Sequence, residues 1–238
     1  MDISVVIPAY NEEKRLGGTL GRILSYMAEA GHDYEVVVVD DGSRDGTAAV
    51  AESFSGRGVH TLRTPGNRGK GHAVRRGMLE AGKSLVLFSD ADLSTPIEEL
   101  EKLAAPVLAG RAQIAFGSRA VAGSVIEVSQ PFYRVAMGKT FNLLVRLIAL
   151  RGFHDTQCGF KLFTRDAARE VFRRQRLDGF GFDVEILAIA RRLGIRIAEV
   201  PVRWIDSAET RVHPVRDSTR MFLDLFRIRW NGVLGRYR

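Results

Sequence analysis

Two carboxylates separated by one alanine, Asp90 and Asp92, follow directly on a mostly apolar run, Leu85 to Ser89. A buried strand that ends in two acids carries negative charge to the carboxyl edge of a sheet, where open α/β sheets bind ligands. Unpaired carboxylates this close repel each other and invite a cation. Hard oxygen ligands suit Mg²⁺ or Mn²⁺. A second acidic strand end lies upstream, where four valines run into Asp40, Asp41, Gly42 and Ser43. Acids at such ends can take ribose hydroxyls or a metal that bridges phosphates. Together the two ends describe a site for a nucleoside diphosphate with a divalent ion. Taken alone, Asp-Ala-Asp followed by Pro96, Glu98 and Glu99 is also what an acidic helix entry looks like.

The elements around these acids read as alternating strands and helices. Ile3 to Ile7 is a short apolar run stopped by Pro8, which predicts a buried strand. Residues 8–13, PAYNEE, lead into an amphipathic segment reaching about Ala30. Val59 to Arg63 predicts a third strand, and TPGNRGKGHAV is a glycine-rich turn entering a helix. Ile114 to Phe116 adds a strand ending in Gly117, Ser118 and Arg119. This alternation means βαβ units and a mostly parallel sheet flanked by helices. No GxGxxG follows the first strand, which argues against a dinucleotide site. GNRGKG at 66–71 misses the P-loop spacing and reads as a flexible basic turn. The first 120 residues form a nucleotide-binding half.

The second half differs. Val121 to Gln130 has no period and predicts a mobile loop. Phe132 to Leu150 is strongly apolar but carries Arg134, Lys139, Asn142 and Arg146, too many polar groups for a spanning helix. Core packing is the expectation for it. DTQCGFKLF at 155–163, GFGFDVEIL at 179–187 and the strand IAEVPVRW at 197–204 follow. The boundaries are a catalytic unit at 1–210, split at 120, and a basic tail at 211–238. With 238 residues, 45% of them hydrophobic, there is ample material for a core. The one cysteine, Cys158, excludes an intrachain disulfide and fits a reducing compartment. Met1 runs straight into a strand with no signal pattern. The net charge is +7, and the tail alone holds seven Arg against two Asp. That bias predicts an anionic partner. Nucleic acid is not the expected one, because the basic end carries no nucleic-acid motif.

SVVIPAYNEE, VVVVDDGSRDGT, NRGKGHAVRRGM, FSDADLSTP and FGSR, in this order and spacing, resemble the family 2 glycosyltransferases with the GT-A fold. DTQCGFKLFTRDAA, GFDVEIL and EVPVRW are similar to the dolichyl-phosphate β-glucosyltransferases, with the mannosyltransferases as next relatives. The eukaryotic glucosyl members carry an N-terminal spanning segment, which this chain lacks. The resemblance implies an inverting transfer of glucose from UDP-glucose to a polyprenyl phosphate, or, as the alternative, use of GDP-mannose or of a soluble hydroxyl acceptor. It implies that Pro8, Ala9, Tyr10 and Glu12 form the first donor-binding loop. Asp40 and Asp41 meet base and ribose, although Asp41 is also the residue a turn before Gly42 would want. Asp90, Ala91 and Asp92 are the metal and diphosphate motif, with Asp92 the better ligand and Mg²⁺ or Mn²⁺ the cofactor. Ser94 stands where mannosyl relatives have a glutamine. Arg119 handles the acceptor phosphate, Arg211 the donor diphosphate, and Gln157 and Lys161 lie on the acceptor side, although Lys161 could also be simply solvated. His72, His154 and His213 are structural. Asp183 matches a carboxylate that many inverting relatives use as base. A phosphate monoester has its second pKa at about 6, so such an acceptor needs little deprotonation, and Asp183 is expected to position rather than to abstract. Asp183 and Glu185 would also suit a helix start.

The tail raises the question of how the chain meets a lipid. As a helix from Val215 to Trp230, it places Met221, Phe222, Leu225, Phe226 and Ile228 on one face. Arg216, Arg220 and Arg227 fall opposite, with Arg229 intruding on the apolar side. Trp230 and Tyr237 are residue types that settle at headgroup level. A peripheral site on the cytoplasmic face of a membrane is expected, with packing of this helix on the core left open beside it.

Overall fold

A computed structural model describes residues 1–128, 132–206 and 214–238. Continuous apolar runs make strands buried on both faces, as parallel sheets require. In chain order these are β1 (Asp2–Ala9), β2 (Asp33–Asp40), β3 (Val59–Arg63), β4 (Leu85–Ser89), β5 (Ile114–Ser118), β7 (Phe160–Thr164) and β8 (Ile197–Pro201). They form one sheet in the order β3-β2-β1-β4-β7-β5-β8. All neighbours are parallel except β7, which runs antiparallel between β4 and β5. The helices are α1 (Glu13–Glu29), α2 (Thr47–Glu52), α3 (Lys70–Glu80), α4 (Leu100–Leu108), α5 (Phe132–Ile148), α6 (Arg165–Arg174), α7 (Phe182–Arg192) and α8 (Pro214–Val233). The core lies in two layers. Leu16, Leu20 and Leu103, from α1 and α4, cover one face of the sheet. Val74, Phe172, Phe182 and Leu225, from α3, α6, α7 and α8, cover the other.

Strand order turns at β1, whose neighbours are β2 on one side and β4 on the other. The crevice at the carboxyl ends of these strands is where such sheets bind ligands. Tyr10, Asp40 and Asp90 are delivered to that edge. Pro96 is extended, with ψ 146, and precedes a short 3-10 turn before α4. It therefore stops the preceding loop rather than filling a first helical position.

Two expectations are corrected here. Residues 121–128 are not wholly loop: β6 (Val125–Val128) pairs in parallel with β9 (Arg203–Ile205) in a separate two-stranded sheet. Accordingly the strand expected over 197–204 is divided, β8 joining the main sheet and β9 the small one. Val125, Ile126 and Val128 are all exposed, so no buried face imposed a period on this stretch.

The tail is corrected as well. Met221, Leu225 and Ile228 are buried against the core rather than turned to a membrane. Tyr237, expected at headgroup level, is only 1% exposed, and its hydroxyl donates to Glu185 Oε1 at 2.7 Å. Burial raises the Glu185 carboxyl above its ordinary range, with Tyr237 and the N–H groups of Leu177 and Arg176 working against that rise. Glu185 thus anchors the chain end. The helix Phe132–Ile148 is also only partly core: Val145 is buried while Val135, Met137, Leu143 and Leu147 are exposed.

Candidate active site

Asp90 and Asp92 sit on the turn that leaves β4. Leu93, between Asp92 and Ser94, has φ +47, and Asn11, beside Tyr10, has φ +56. Among the described residues these are the two non-glycine positions in the left-handed region, and both border the crevice. Strained backbone of this kind persists where the surroundings fix it, often at functional sites. Asp92 Oδ1 accepts the Ser94 N–H at 3.0 Å, which orients the carboxylate and leaves its second oxygen to the crevice. The Ala91 carbonyl accepts from Thr19 Oγ1 at 2.5 Å, pinning the turn to α1. At Gly159 any Cβ would overlap the Asp90 carboxylate, so that glycine keeps the space the acid occupies.

The pair is not left without a cation, contrary to the sequence expectation. Lys70 Nζ lies 2.7 Å from Asp90 Oδ1. Burial raises the Asp90 carboxyl, opposed by Lys70 and reinforced by Asp92 and Asp183. Burial pulls Lys70 the other way, but the charges of Asp90 and Asp183 outweigh it and hold the ammonium above its ordinary range. Lys70 was missed because its turn reads as flexible. It is not. Asp41 accepts the N–H groups of Arg68 at 3.0 Å and Gly69 at 2.7 Å. Gly69 has φ +113, and a Cβ there would strike the Asp178 carbonyl. The signal available in the sequence was the single lysine opening a helix directly after a fixed glycine turn.

Asp41 therefore spends its oxygens on this turn, and Thr64 Oγ1 also donates to it at 3.1 Å. Asp40 is different. Its Oδ1 accepts the Ser43 N–H at 2.9 Å, and its buried Oδ2 has no hydrogen-bond donor, with Arg63 Nε approaching only to 3.4 Å. Pro8 and Ala9 are buried at the end of β1, and Ala9 contributes its carbonyl to the Asp41 N–H at 2.9 Å. Tyr10 is half-buried beside them. Glu12 is buried, pairs with Arg15, and gives its N–H to Thr47 Oγ1 at 2.7 Å.

On the other side of the crevice, Arg119 forms a two-point pair with Asp155, Nε to Oδ2 at 2.6 Å and Nη2 to Oδ1 at 2.8 Å. Its guanidinium stacks over Trp204, 5.1 Å from the ring centre. Burial alone would raise Asp155, but the Arg119 charge and hydrogen bonds win and leave it below the usual carboxylate range. Asp155 is a second residue that sequence reasoning missed. Gln157 is half-buried, and its Nε2 points to Met221 Sδ on α8 at 3.9 Å.

Lys161 is neither solvated nor on the acceptor surface. It is 0% exposed, on β7, and donates to Asp183 Oδ1 at 2.5 Å and to the Cys158 carbonyl at 2.6 Å. Its Nζ and that of Lys70 lie 5.7 and 5.5 Å from the centre of the Phe88 ring. Asp183, in the first turn of α7, is buried and tied to this lysine. Cys158 is buried, and desolvation pushes its thiol up to about 11, so it is not a nucleophile. His154 pairs with Glu199 at 3.1 Å, and His72 Nδ1 lies 3.8 Å from Asp41, both consistent with structural roles. Arg211 and His213 lie outside the described residues.

The donor set fits a divalent ion in one way. Among the described residues no group of three His, Cys, Asp or Glu side chains could hold a metal. Asp90 and Asp92 offer hard oxygens, and phosphate oxygens would have to complete the shell, as is usual where Mg²⁺ accompanies a nucleotide.

The model of the family described as "Glycosyl transferase family 2" matches residues 4–172. A dolichyl-phosphate beta-glucosyltransferase of Drosophila melanogaster is 40% identical over 252 residues, covering 100% of this chain and 77% of that protein. The Homo sapiens protein of the same name is 36% identical, covering 99% and 77%. Among solved structures, mannosyl-3-phosphoglycerate synthase from Rubrobacter xylanophilus aligns with a TM-score of 0.71 at 23% identity, covering 99% of this chain and 75% of that one. Glucosyl-3-phosphoglycerate synthase from Mycobacterium tuberculosis, in complex with Mn²⁺, UDP and phosphoglyceric acid, gives 0.67 at 22% identity, covering 99% and 78%. At these identities the structural likeness speaks for the shared fold.

Proposed function

Because the chain belongs to glycosyl transferase family 2, we propose that it is an inverting hexosyltransferase moving glucose from UDP-glucose to a dolichyl-type polyprenyl phosphate. One observation carries this reading: the 40% identity to a glucosyltransferase of that acceptor class along the whole chain.

An oxygen of the acceptor phosphate attacks the anomeric carbon. The bond from that carbon to the donor diphosphate breaks, and UDP leaves with the electron pair. Asp90 and Asp92 would hold Mg²⁺ or Mn²⁺, which when bound neutralises charge on the departing diphosphate. Lys70, already at Asp90, places a second positive charge beside that position. Asp40 offers its unpartnered Oδ2 to the nucleoside. Arg119, oriented by Asp155, keeps Nη1 for the acceptor phosphate, and Gln157 flanks it. An acceptor phosphate is largely ionised at pH 7, so Asp183, neutralised by Lys161, positions the α7 end rather than taking a proton.

The acceptor is a lipid, and among the described residues no helix is long and apolar enough to cross a membrane. The outer side of α8 meets that need. Leu223, Phe226, Trp230, Val233 and Leu234 are all exposed, and their spacing forms a single stripe opposite the buried Met221, Leu225 and Ile228. Arg220 and Arg227 border the stripe on one side and Arg229 on the other. Such a helix lies in an anionic interface, and the Gln157–Met221 contact links it to the acceptor side.

The test offers radiolabelled UDP-glucose or GDP-mannose with polyprenyl phosphate and counts label in the organic phase. Label from UDP-glucose alone is expected. Label from GDP-mannose alone, or none without a soluble acceptor, would replace the reading.

A further inference from the structure

A cavity of about 400 Å³ lies where the ends of α5 and α7 meet α8. Five arginines line it: Arg146, Arg151, Arg191, Arg192 and Arg229. No acidic side chain lines it, and among the described residues none of the five makes an ion pair. Two of them serve helix ends, Arg229 donating to the Ile148 carbonyl at 3.1 Å and Arg191 to that of Arg151. That accounts for two N–H groups out of the five that each guanidinium carries. The Nε of Arg146 is buried with no partner. Arg192 lies directly over Gly232, in space that a Cβ would otherwise fill. The two helix C-termini contribute roughly −0.5 charge each, about one negative charge against five positive ones. Helix-end neutralisation therefore leaves most of the positive charge unanswered.

We propose that this cavity binds a phosphate-bearing anion, with an anionic phospholipid headgroup as its source. It is distinct from the transfer site: Asp183 and Arg192 stand at opposite ends of α7, about 13 Å apart at 1.5 Å per residue. Arginine forks suit phosphate oxygens by paired hydrogen bonds. Leu147 at the rim and Trp230 beside Arg229 are each 63% exposed, placing apolar groups where acyl chains would follow a headgroup. Only the lipid source rests on the membrane reading above; the anion chemistry does not.

The test uses the full chain, the double variant Arg146→Gln/Arg192→Gln, and a control that removes equal charge from exposed positions elsewhere, Arg111→Gln/Arg173→Gln. Glycerol 3-phosphate is titrated by calorimetry, and sedimentation is measured with phosphatidylcholine vesicles with and without phosphatidylglycerol. The double variant should lose at least tenfold in affinity for one glycerol 3-phosphate per chain and lose its phosphatidylglycerol dependence, with the control unchanged. Glucose transfer to a detergent-dispersed acceptor should be retained, which separates this loss from misfolding. Equal binding by wild type and double variant, or equal loss in the control, would overturn the site. Binding of glycerol 3-phosphate without any vesicle effect would make free phosphate compounds the source and leave the site standing. If the chain transfers no sugar but the variants still differ, the transfer reading fails and this site survives.

Discussion

The crevice edge and the α5–α8 side treat charge in opposite ways. At the crevice edge carboxylates gather, and each is assigned: Asp41 to a backbone turn, Asp90 to Lys70, Asp155 to Arg119, Asp183 to Lys161. What stays uncommitted there is small and specific, one oxygen of Asp92 and Oδ2 of Asp40. On the α5–α8 side arginines gather without carboxylates, beside exposed leucine, phenylalanine and tryptophan. The first arrangement is what a site for one oriented small molecule needs, since fixed charges cost no rearrangement when the reaction's charge develops. The second suits a broad, chemically loose anionic surface. Order at the crevice and excess on the helices are therefore two answers to two kinds of ligand.

The contrast breaks most sharply at Asp92. Asp92→Asn should reduce transfer at least about a thousandfold, roughly 4 kcal/mol of barrier, while circular dichroism and melting temperature stay near wild type. Near-normal turnover in Mg²⁺ would remove Asp92 from the diphosphate site.

Asp155→Asn probes commitment itself. Breaking a buried pair costs about 3–5 kcal/mol, and the partial exposure of Arg119 puts this one toward the low end. Because the folded state holds Asp155 below its ordinary range, its contribution is fully present above the unfolded value near 4 and fades as pH falls through the depressed one. The stability gap between wild type and variant, measured by denaturant titration, should close toward strongly acid pH. A gap independent of pH would mean the pair is not the stabilising element.

A smaller effect is expected at Asp183. Asp183→Asn should keep activity within about tenfold of wild type, because the acceptor phosphate is already ionised, while stability falls through the buried Lys161. Inactivity equal to that of Asp92→Asn, in a still folded protein, would argue for a hydroxyl acceptor and a true base. Smallest of the four, Arg119→Ala should raise the apparent KM for polyprenyl phosphate several-fold more than that for the nucleotide sugar. Equal increases would move Arg119 off the acceptor side.

What could be read beforehand follows the same division. Strand ends were legible because apolar runs stop abruptly at Asp40 and Asp90, and the crevice follows from alternating strands and helices. The antiparallel direction of β7 was not, since FKLFT carries no directional signal and its buried lysine looks like surface. Lys70 and Asp155 were hidden because their roles come from partners 20 and 36 residues away in sequence. The helix α8 misled by being apolar on two faces: the periodicity identified the one that packs inward, whereas the stripe through Phe226 and Trp230 emerges only once that face is seen to be covered.

The central claim is an inverting transfer from an α-linked nucleotide sugar to a lipid phosphate. It is tested most directly by the anomeric proton of the product made from UDP-glucose and polyprenyl phosphate, read by NMR after organic extraction. A β-linked glucosyl phosphate, with the large coupling of an axial anomeric proton, is the predicted result. An α-linked product, or glucose found only on a water-soluble acceptor, would contradict it.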